Sequence, residues 1–397
     1  MSTRLPLGFR FAGVHCGIKR KPQNPDIALI VSDRPATAAG VYTQNRIYAA
    51  PVQVDRERTP NELTQAVVVN SGNANACTGE RGLRDARQMC AIVAEACGLK
   101  QNSVLVMSTG IIGEHLPMKK INSGIRAAAA QLAADEASVV AAARGIMTTD
   151  KVHKLASREL AMAKAEIGLL GMAKGSGMIG PKMATMLGVI VTDAALDPAT
   201  AQSMLCEIVD QTFNCISVEG HTSTNDTVLL LANGAAIAEP LSGQELNAFR
   251  TALLELSTEL ARSIPADGEG ATHLITVTVR GCEDPSDARH IARAIANSPL
   301  VKTAVAGADP NWGRIVSAAG YAGVEFDPGR VALEINGCLL FDQGEPVKYD
   351  AEQVSNSIRG NVDTSVVLTV GTGQASIRFW TSDLTAEYVR INADYHT

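Results

Sequence analysis

The sequence is poor in aromatic and charged residues, and it contains no long basic run. Aromatic residues make up 4% of the 397 residues, which excludes an aromatic binding platform as its main surface. The net charge is −6, and the basic triplet Lys19-Arg20-Lys21 is too short to form the concentrated basic surface that phosphate backbones require. We therefore exclude nucleic acid as a partner and interpret the triplet as a solvated loop.

Long apolar runs and paired cysteines are also missing. No uncharged apolar run reaches the roughly 18 residues that a membrane-spanning helix needs, and the first residues lack the apolar stretch of a signal peptide. We expect a cytoplasmic protein without a membrane partner. The eight cysteines are scattered singly, without zinc-site spacing, so we expect reduced thiols and no metal. Cys90 and Cys97 are predicted to share one buried helix face.

What the chain does contain is enough apolar sequence for two domains. Apolar residues make up 46%, and the length fits domains of roughly 150 residues each. Apolar β-rich runs alternate with amphipathic stretches, which predicts an α/β fold of layered mixed sheets and helices. The turn-rich stretch 280–287 places a boundary between a core, 1–280, and a smaller C-terminal α/β domain, 281–397. Strands are predicted at 27–31, 66–69, 104–107, 185–192, 228–231 and 330–335, and helices at 83–98, 125–146 (broken once), 288–296 and 351–359.

Three local patterns predict how elements begin and turn. Asp197 before Pro198 is typical of an N-cap followed by the first helical residue, so a helix is predicted to begin there. Ser242 and Glu245 form a capping-box pattern before another helix. Residues 365–380 are predicted to form a hairpin that turns at their Gly-Thr-Gly sequence.

The most informative segment is KGSGMIGPKMATMLGVIVTD, residues 174–193. Its Gly175-x-Gly177-x-x-Gly180 matches a dinucleotide-binding fingerprint as a string of letters. That fingerprint works only when its glycines open a helix that meets the pyrophosphate. Here Pro181 follows, and then a β-branched strand, so we reject a dinucleotide site.

A different chemistry fits the same segment. The glycine-rich stretch leads to Ala184 and then to Thr185 at the start of a buried strand. A threonine hydroxyl is a weak nucleophile unless its own α-amine is free to take the proton. Attack of the Thr185 hydroxyl on the preceding carbonyl would break the Ala184–Thr185 bond and free that amine, and glycines permit the strained geometry that this needs. The residues alone leave open an ordinary glycine-rich turn before a strand.

Three further segments carry candidate supporting groups. Thr109 and Gly110 follow a predicted strand, where a hydroxyl and a backbone N–H can form an oxyanion hole or simply a strand-to-loop turn. Glu269 lies between glycines, where it either holds a cationic amine or belongs to an exposed turn. The polar run 221–227 either lines a polar pocket or is an ordinary cap-and-turn stretch.

Seven blocks of the sequence strongly resemble the glutamate N-acetyltransferase (ornithine acetyltransferase) family of arginine biosynthesis. They occur in the family's order from about residue 8 to the C terminus, which makes chance similarity negligible. Two details differ: Gly180-Pro181-Lys182 replaces a more usual Ala-Pro-Asn, and Glu219-Gly220-His221 replaces a more usual Asp-Gly-Asp. The blocks are NSGNANACTG, STGIIG, KGSGMIGPKMATMLGVIVTDA, SVEGHTSTNDT, DGEGATHLI, GADPNWGRI and DLTAEYVRINADYHT.

The resemblance implies a self-processing sandwich of the N-terminal-nucleophile type and gives roles to individual positions. Thr185 matches the nucleophile, and Ala184–Thr185 matches the autoproteolysis site. Thr109 and Gly110 match the oxyanion-hole pair. The family's substrate-binding positions are matched by Thr148, Lys174, Thr185, Glu269, Asn392 and Thr397.

The implied reaction is ping-pong transfer of acetyl from N2-acetyl-L-ornithine to L-glutamate through an acetyl ester on Thr185. Cleavage would give an α chain, 1–184, and a β chain, 185–397, which the family assembles as a heterotetramer of two of each. No metal or bound organic cofactor is implied, because the acetyl donor is itself a substrate; some members also use acetyl-CoA. The rival hypotheses are an N-terminal-nucleophile amidase or aminopeptidase, which passes the acyl group to water, and a non-catalytic binding protein of the same fold.

Overall fold

The computed structural model of the chain describes residues 4–180 and 186–394. Within these ranges the chain forms fifteen strands in two mixed sheets and eleven α-helices. The strands are β1 (Phe9–Val14), β2 (Ile27–Tyr42), β3 (Asn61–Asn73), β4 (Val104–Ile111), β5 (Lys154–Ala161), β6 (Glu166–Lys174), β7 (Leu187–Ala195), β8 (Ile216–Ser217), β9 (Thr227–Pro240), β10 (Leu274–Cys282), β11 (Ala332–Ile335), β12 (Cys338–Asp342), β13 (Glu345–Pro346), β14 (Asp363–Thr369) and β15 (Ala375–Ser382). The helices are α1 (Ala50–Arg56), α2 (Gly79–Cys97), α3 (Met118–Ala130), α4 (Glu136–Gly145), α5 (Pro198–Gln211), α6 (Gly243–Ala266), α7 (Pro285–Asn297), α8 (Pro299–Ala306), α9 (Trp312–Gly320), α10 (Ala351–Gly360) and α11 (Ala386–Asp394).

The first sheet has the order β4-β3-β2-β9-β7-β6-β5, and β1 pairs with the first part of β2 on the edge opposite β3. Its central strands are buried on both faces. Successive side chains of a strand point to opposite sides, so neighbouring residues pack in different clusters. On β3, for example, Val67 and Val69 pack in one apolar cluster, whereas Ala66 and Val68 pack in another beneath α2 and α3. The parallel pair β3–β4 brings two strand ends together at one edge of the sheet. That edge carries the site described below.

The second sheet has the order β13-β12-β11-β14-β10-β15-β8 and packs through a large apolar cluster that also includes residues of α5, α6 and α7. Parallel pairs (β10–β14 and β15–β8) occur beside antiparallel ones in this sheet. The prediction of an α/β fold with mixed sheets is therefore confirmed. The domain boundary between 280 and 281 stays a prediction.

The predicted hairpin at 365–380 is wrong. The two strands exist as β14 and β15, but β10 lies between them and pairs with both. The connecting loop crosses the end of β10, where the Gly373 amide donates to the Gly281 carbonyl oxygen over 3.0 Å. A Cβ on Gly373 would lie 2.0 Å from the Cys282 carbonyl oxygen. The glycines of this loop therefore allow it to pack closely over β10. They do not form a tight turn between two paired strands.

The helix-start predictions had different outcomes. Asp197 caps α5 as expected, since its carboxylate accepts the Thr200 amide at 2.9 Å. Ser242 does precede α6, but its side chain makes no capping hydrogen bond. The Glu245 carboxylate accepts the amide of Ala163, from the loop after β5, at 3.0 Å instead. The capping-box interpretation is wrong because a tertiary partner holds this glutamate.

The alanine-rich stretch and the cysteines can be compared with the structure as well. The alanine-rich stretch breaks once, between α3 and α4, as predicted. Cys90 is buried and Cys97 half-buried on α2, and all eight cysteines are free thiols. Across the described ranges, no helix combines the length and the apolar content required to cross a membrane.

Candidate active site

One pocket collects every described residue that the sequence nominated for the site. Six positions spread between residues 109 and 392 of the chain converge there. Ala184, Thr185 and Thr397, which were nominated with them, lie outside the described residues. The six are Thr109, Gly110, Thr148, Lys174, Glu269 and Asn392, and the pocket is completed by Ala74, Ile112, Thr149, Gly177, Met178, Ser223, Thr224 and Asn225.

Gly110 sits where the end of β4 meets the end of β3. The parallel register places Gly110 beside Gly72, and its φ of +136° lies in a region that favours glycine. A Cβ at Gly110 would lie 2.3 Å from the Gly72 carbonyl carbon and 2.4 Å from the Asn73 nitrogen. Glycine is therefore required at this position, and the residue before it, Thr109, is buried with 2% of its surface exposed.

Lys174 brings a buried cation to the same strand end. It is the last residue of β6, it is 2% exposed, and its Nζ donates to the Thr109 hydroxyl over 3.3 Å. Burial lowers the pKa of the Lys174 ammonium, while the neighbouring Asp150 carboxylate opposes that shift. Because Thr109 Oγ1 accepts from Lys174, its own hydrogen is free to donate into the pocket.

A buried ion network that the sequence did not reveal supports Lys174. Lys154 Nζ donates to Asp150 Oδ1 at 2.8 Å and to Asp267 Oδ2 at 2.7 Å, and all three side chains are buried. Asp150 also accepts the Gly175 amide at 2.7 Å and the Thr148 amide at 3.0 Å. Its carboxylate therefore fixes two segments that line the pocket. No motif marked these residues, since Lys154 and Asp267 are 113 positions apart in the sequence.

The free energy of unfolding should depend on pH through the Asp150 carboxylate of this network. Burial by itself raises the pKa of Asp150, but Lys174, Lys154 and the hydrogen bonds outweigh it and lower the value to about 2. A carboxylate with a lowered folded-state pKa stabilises the fold above its unfolded pKa, near 4, and loses that contribution as pH falls toward 2. We expect the urea midpoints of wild type and Asp150→Asn to differ most above about pH 4 and to converge toward pH 2. Asp33→Asn, which removes an exposed carboxylate, serves as the control, and a pH-independent gap for Asp150→Asn would contradict the expectation.

Glu269 and Asn392 line the pocket as a hydrogen-bonded pair. Asn392, on α11, donates its Nδ2 to Glu269 Oε2 over 2.9 Å, and the Glu269 amide donates to the Ser176 carbonyl oxygen at 2.9 Å. A Cβ on Gly177 would lie 2.5 Å from the Glu269 carboxyl carbon. Gly177 thus has a packing role beside Glu269, and residues 175–180 form no helix. This agrees with the rejection of a dinucleotide fingerprint.

The polar run 221–227 proves to be a pocket wall rather than an ordinary turn. Ser223, Thr224 and Asn225 line the pocket. The Asn225 side-chain amide donates to the Ala74 carbonyl oxygen at 2.7 Å and to the Ser108 carbonyl oxygen at 2.8 Å. This one side chain ties the ends of β3 and β4 together directly before Thr109.

Asp226 lies beside the residue that follows Thr185 in the chain. Its Oδ1 accepts the Met186 amide at 3.0 Å and its side chain is fully buried. Its Oδ2 has no hydrogen-bond partner within residues 4–180 and 186–394. Burial raises the pKa of Asp226 well above its usual value. Sequence reasoning missed this role, although the residue belongs to the polar run. It fixes the start of β7.

Glu219, one of the two departures from the resembled pattern, is also buried at its carboxyl group. Among the residues that the structure describes, neither of its carboxyl oxygens has a hydrogen-bond partner within 3.5 Å. Burial, with the nearby Glu269 carboxylate adding to it, raises the pKa of Glu219 to about 8. Glu219 is therefore a second, largely protonated carboxyl group near Glu269. In the other departure, Lys182 lies outside the described residues.

Comparison with known proteins gives one consistent family. The family model described as ArgJ family matches residues 10–397. The arginine biosynthesis bifunctional protein ArgJ of Rhodopirellula baltica is 48% identical over 396 residues, which cover 99% of this chain and 96% of that protein. The protein of the same name from Symbiobacterium thermophilum is 47% identical over 397 residues, covering 99% and 98%. A crystal structure of arginine biosynthesis bifunctional protein ArgJ from Bacillus halodurans is 38% identical, covers 51% of this chain and 96% of the solved one, and has a TM-score of 0.50.

Proposed function

The chain belongs to the ArgJ family, and from this premise we propose that its pocket carries out acetyl transfer in arginine biosynthesis through Thr185. The enzyme moves the acetyl group of N2-acetyl-L-ornithine to L-glutamate. The observation that carries the assignment of the site is the meeting of Thr109, Gly110, Lys174 and Glu269 in one pocket. The backbone next to Thr185, at Met186, is held by the adjoining Asp226.

Self-processing comes first in the proposed mechanism. The Thr185 hydroxyl attacks the Ala184 carbonyl, the peptide nitrogen leaves, and water hydrolyses the resulting ester. The products are chains 1–184 and 185–397, and the second begins with a free α-amine. That amine is the base that takes the proton of the Thr185 hydroxyl in every later turnover.

Acetyl transfer then follows in two halves. Thr185 Oγ attacks the acetyl carbonyl of N-acetylornithine, and the oxyanion accepts hydrogen bonds from the Thr109 hydroxyl and the Gly110 amide. Lys174 places positive charge behind the Thr109 hydroxyl, which strengthens that donor. Ornithine leaves with the proton, and the amine of glutamate attacks the ester. Lys174 also attracts the substrate carboxylate, while Glu269 pairs with a substrate amino group.

Further parts of the proposal rest on family membership. The two chains assemble as a heterotetramer of two α and two β chains in the cytoplasm, and Thr148, Asn392 and Thr397 complete the substrate site. The reaction needs no resident cofactor, because the acetyl donor is itself a substrate. Acetyl-CoA serves as a second donor, in keeping with the word bifunctional in the relatives' names.

The test is the fate of a labelled acetyl group. With N-acetylornithine and glutamate, we expect the label on glutamate and, transiently, one acetyl group on the 185–397 chain by mass spectrometry. Label released as free acetate instead would favour the amidase or aminopeptidase. Glu269→Gln should lower kcat/KM by about tenfold to a hundredfold, because a charge-assisted contact is lost. Glu62→Gln, at the far end of β3, is the control, and wild-type activity in Glu269→Gln would remove that residue from the site.

A further inference from the structure

A second pocket, here called the basic pocket, shares a wall with the catalytic pocket. Thr148 lines both of them. The basic pocket measures about 430 Å³, against about 110 Å³ for the catalytic pocket. Its volume falls in the range typical of sites for drug-sized ligands. Acetyl transfer between the two amino-acid substrates leaves this second space without a role.

The lining of the basic pocket is cationic in a chain whose net charge is −6. Lys19, Arg144, Lys151 and His153 line it. Among its described lining residues Asp150 is the one acid, and that carboxylate is already paired with Lys154. The residues that line the pocket therefore carry more positive than negative charge, and the pocket favours an anionic ligand.

The loop that carries Lys19 is firmly built. The buried Asp26 carboxylate accepts the backbone amides of four consecutive residues, 16 to 19, over 2.6 to 3.1 Å. Lys19 Nζ donates to the Pro25 carbonyl oxygen at 2.6 Å. The interpretation of the basic triplet as a solvated loop is thus wrong for Lys19, which is half-buried, although Arg20 and Lys21 are exposed.

The facing wall is built in the same way. The Thr148 amide donates to Asp150, and the amides of Lys151 and Val152 donate to the Asp267 carboxylate at 3.1 and 3.4 Å. These are the acids that hold Lys154 under the catalytic pocket. The network that supports the catalytic pocket therefore also positions the rim of the basic pocket.

We propose that the basic pocket binds the phosphate groups of the acetyl-CoA donor, so that the thioester reaches the catalytic pocket past Thr148. This inference rests on the proposed function. Several separated cations on fixed loops suit a ligand with several phosphate charges, and lysine binds phosphate as a point charge. In the reaction, the bond from Thr185 Oγ to the acetyl carbon forms, the carbon–sulfur bond breaks, and the thiol leaves with the proton that the α-amine took from the hydroxyl.

The basic triplet offers a matched pair of variants for the test. Lys19→Ala removes a cation from the pocket, whereas Lys21→Ala removes the same charge from an exposed position two residues away. We expect Lys19→Ala to lower kcat/KM for acetyl-CoA by about tenfold to a hundredfold. Lys21→Ala should change it less than twofold. Both variants should transfer acetyl from N-acetylornithine at the wild-type rate.

Acetyl-pantetheine isolates the phosphates, because it carries the same thioester without them. Lys19→Ala should leave kcat/KM for acetyl-pantetheine unchanged, and inorganic phosphate should compete with acetyl-CoA only weakly. Equal losses with acetyl-CoA and acetyl-pantetheine would overturn the inference, as would a wild-type enzyme that uses N-acetylornithine but does not bind CoA in calorimetry. Absence of transfer from N-acetylornithine in the wild type is a different result, since it contradicts the proposed function itself.

Discussion

Thr185→Ala is expected to leave the chain as a single polypeptide of 41.7 kDa and to lower acetyl transfer by at least about 10⁴-fold. Both losses have one cause, because the Thr185 hydroxyl is the proposed nucleophile of self-cleavage and of transfer. Alanine offers no oxygen to form either ester. Intact mass under denaturing conditions measures the first effect, and labelled acetyl on glutamate measures the second.

Thr185→Ser is the matched control for this variant. Serine keeps a hydroxyl on the same carbon and would also carry the α-amine after cleavage, so we expect two fragments and measurable transfer. Two fragments meeting between 184 and 185 in Thr185→Ala would contradict the cleavage chemistry. Normal turnover by an uncleaved Thr185→Ala chain would contradict the proposed role of the residue in catalysis.

Sequence patterns predicted the elements whose signals are local. Asp197 before Pro198 marked the start of α5, because capping depends on neighbouring residues and the partner, Thr200, is three residues away. The strands at 66–69 and 104–107 also appear where the apolar runs placed them, as parts of β3 and β4. Burial on both faces gives such strands continuous apolar sequence.

The failures involve partners that are distant in sequence. The glycines at 371 and 373 match a hairpin turn locally, yet β10, about ninety residues earlier, lies between the two strands. Glu245 matches a capping box, yet its carboxylate holds the Ala163 amide. A local pattern cannot exclude a competing tertiary partner, and in both cases that partner decides the outcome.

In the candidate site, too, some residues could be predicted from the sequence and others could not. The family resemblance identified the residues proposed to contact substrate or reacting atoms, and six of these line one pocket. It did not supply the residues that hold them, such as Lys154 with its two aspartates or the fully buried Asp226. A buried charge needs compensating partners, and these come from wherever the fold brings a chain segment close. Only the three-dimensional structure identifies them.

Gly110→Ala is expected to lower kcat by about 10²- to 10³-fold, the typical effect of losing one oxyanion-hole donor. The added Cβ would meet backbone atoms of Gly72 and Asn73 at 2.3 to 2.4 Å, and backbone cannot rotate away as a side chain can. The ends of β3 and β4 must therefore separate, which displaces the Gly110 amide and the Thr109 hydroxyl before it. The KM for N-acetylornithine should change little, because the donors act mainly in the transition state.

Gly113→Ala is the control that distinguishes the steric clash in Gly110→Ala from the effect of backbone strain. Gly113 also has a positive φ, +87°, but a Cβ there meets no atom of the described residues within 4 Å. It should therefore lose some stability through strain while keeping kcat within about twofold of wild type. A comparable loss of kcat in both variants would mean that backbone strain alone disturbs the site. Wild-type kcat in Gly110→Ala would show that the amide at the end of β4 is not an oxyanion donor, because its position cannot survive the added Cβ.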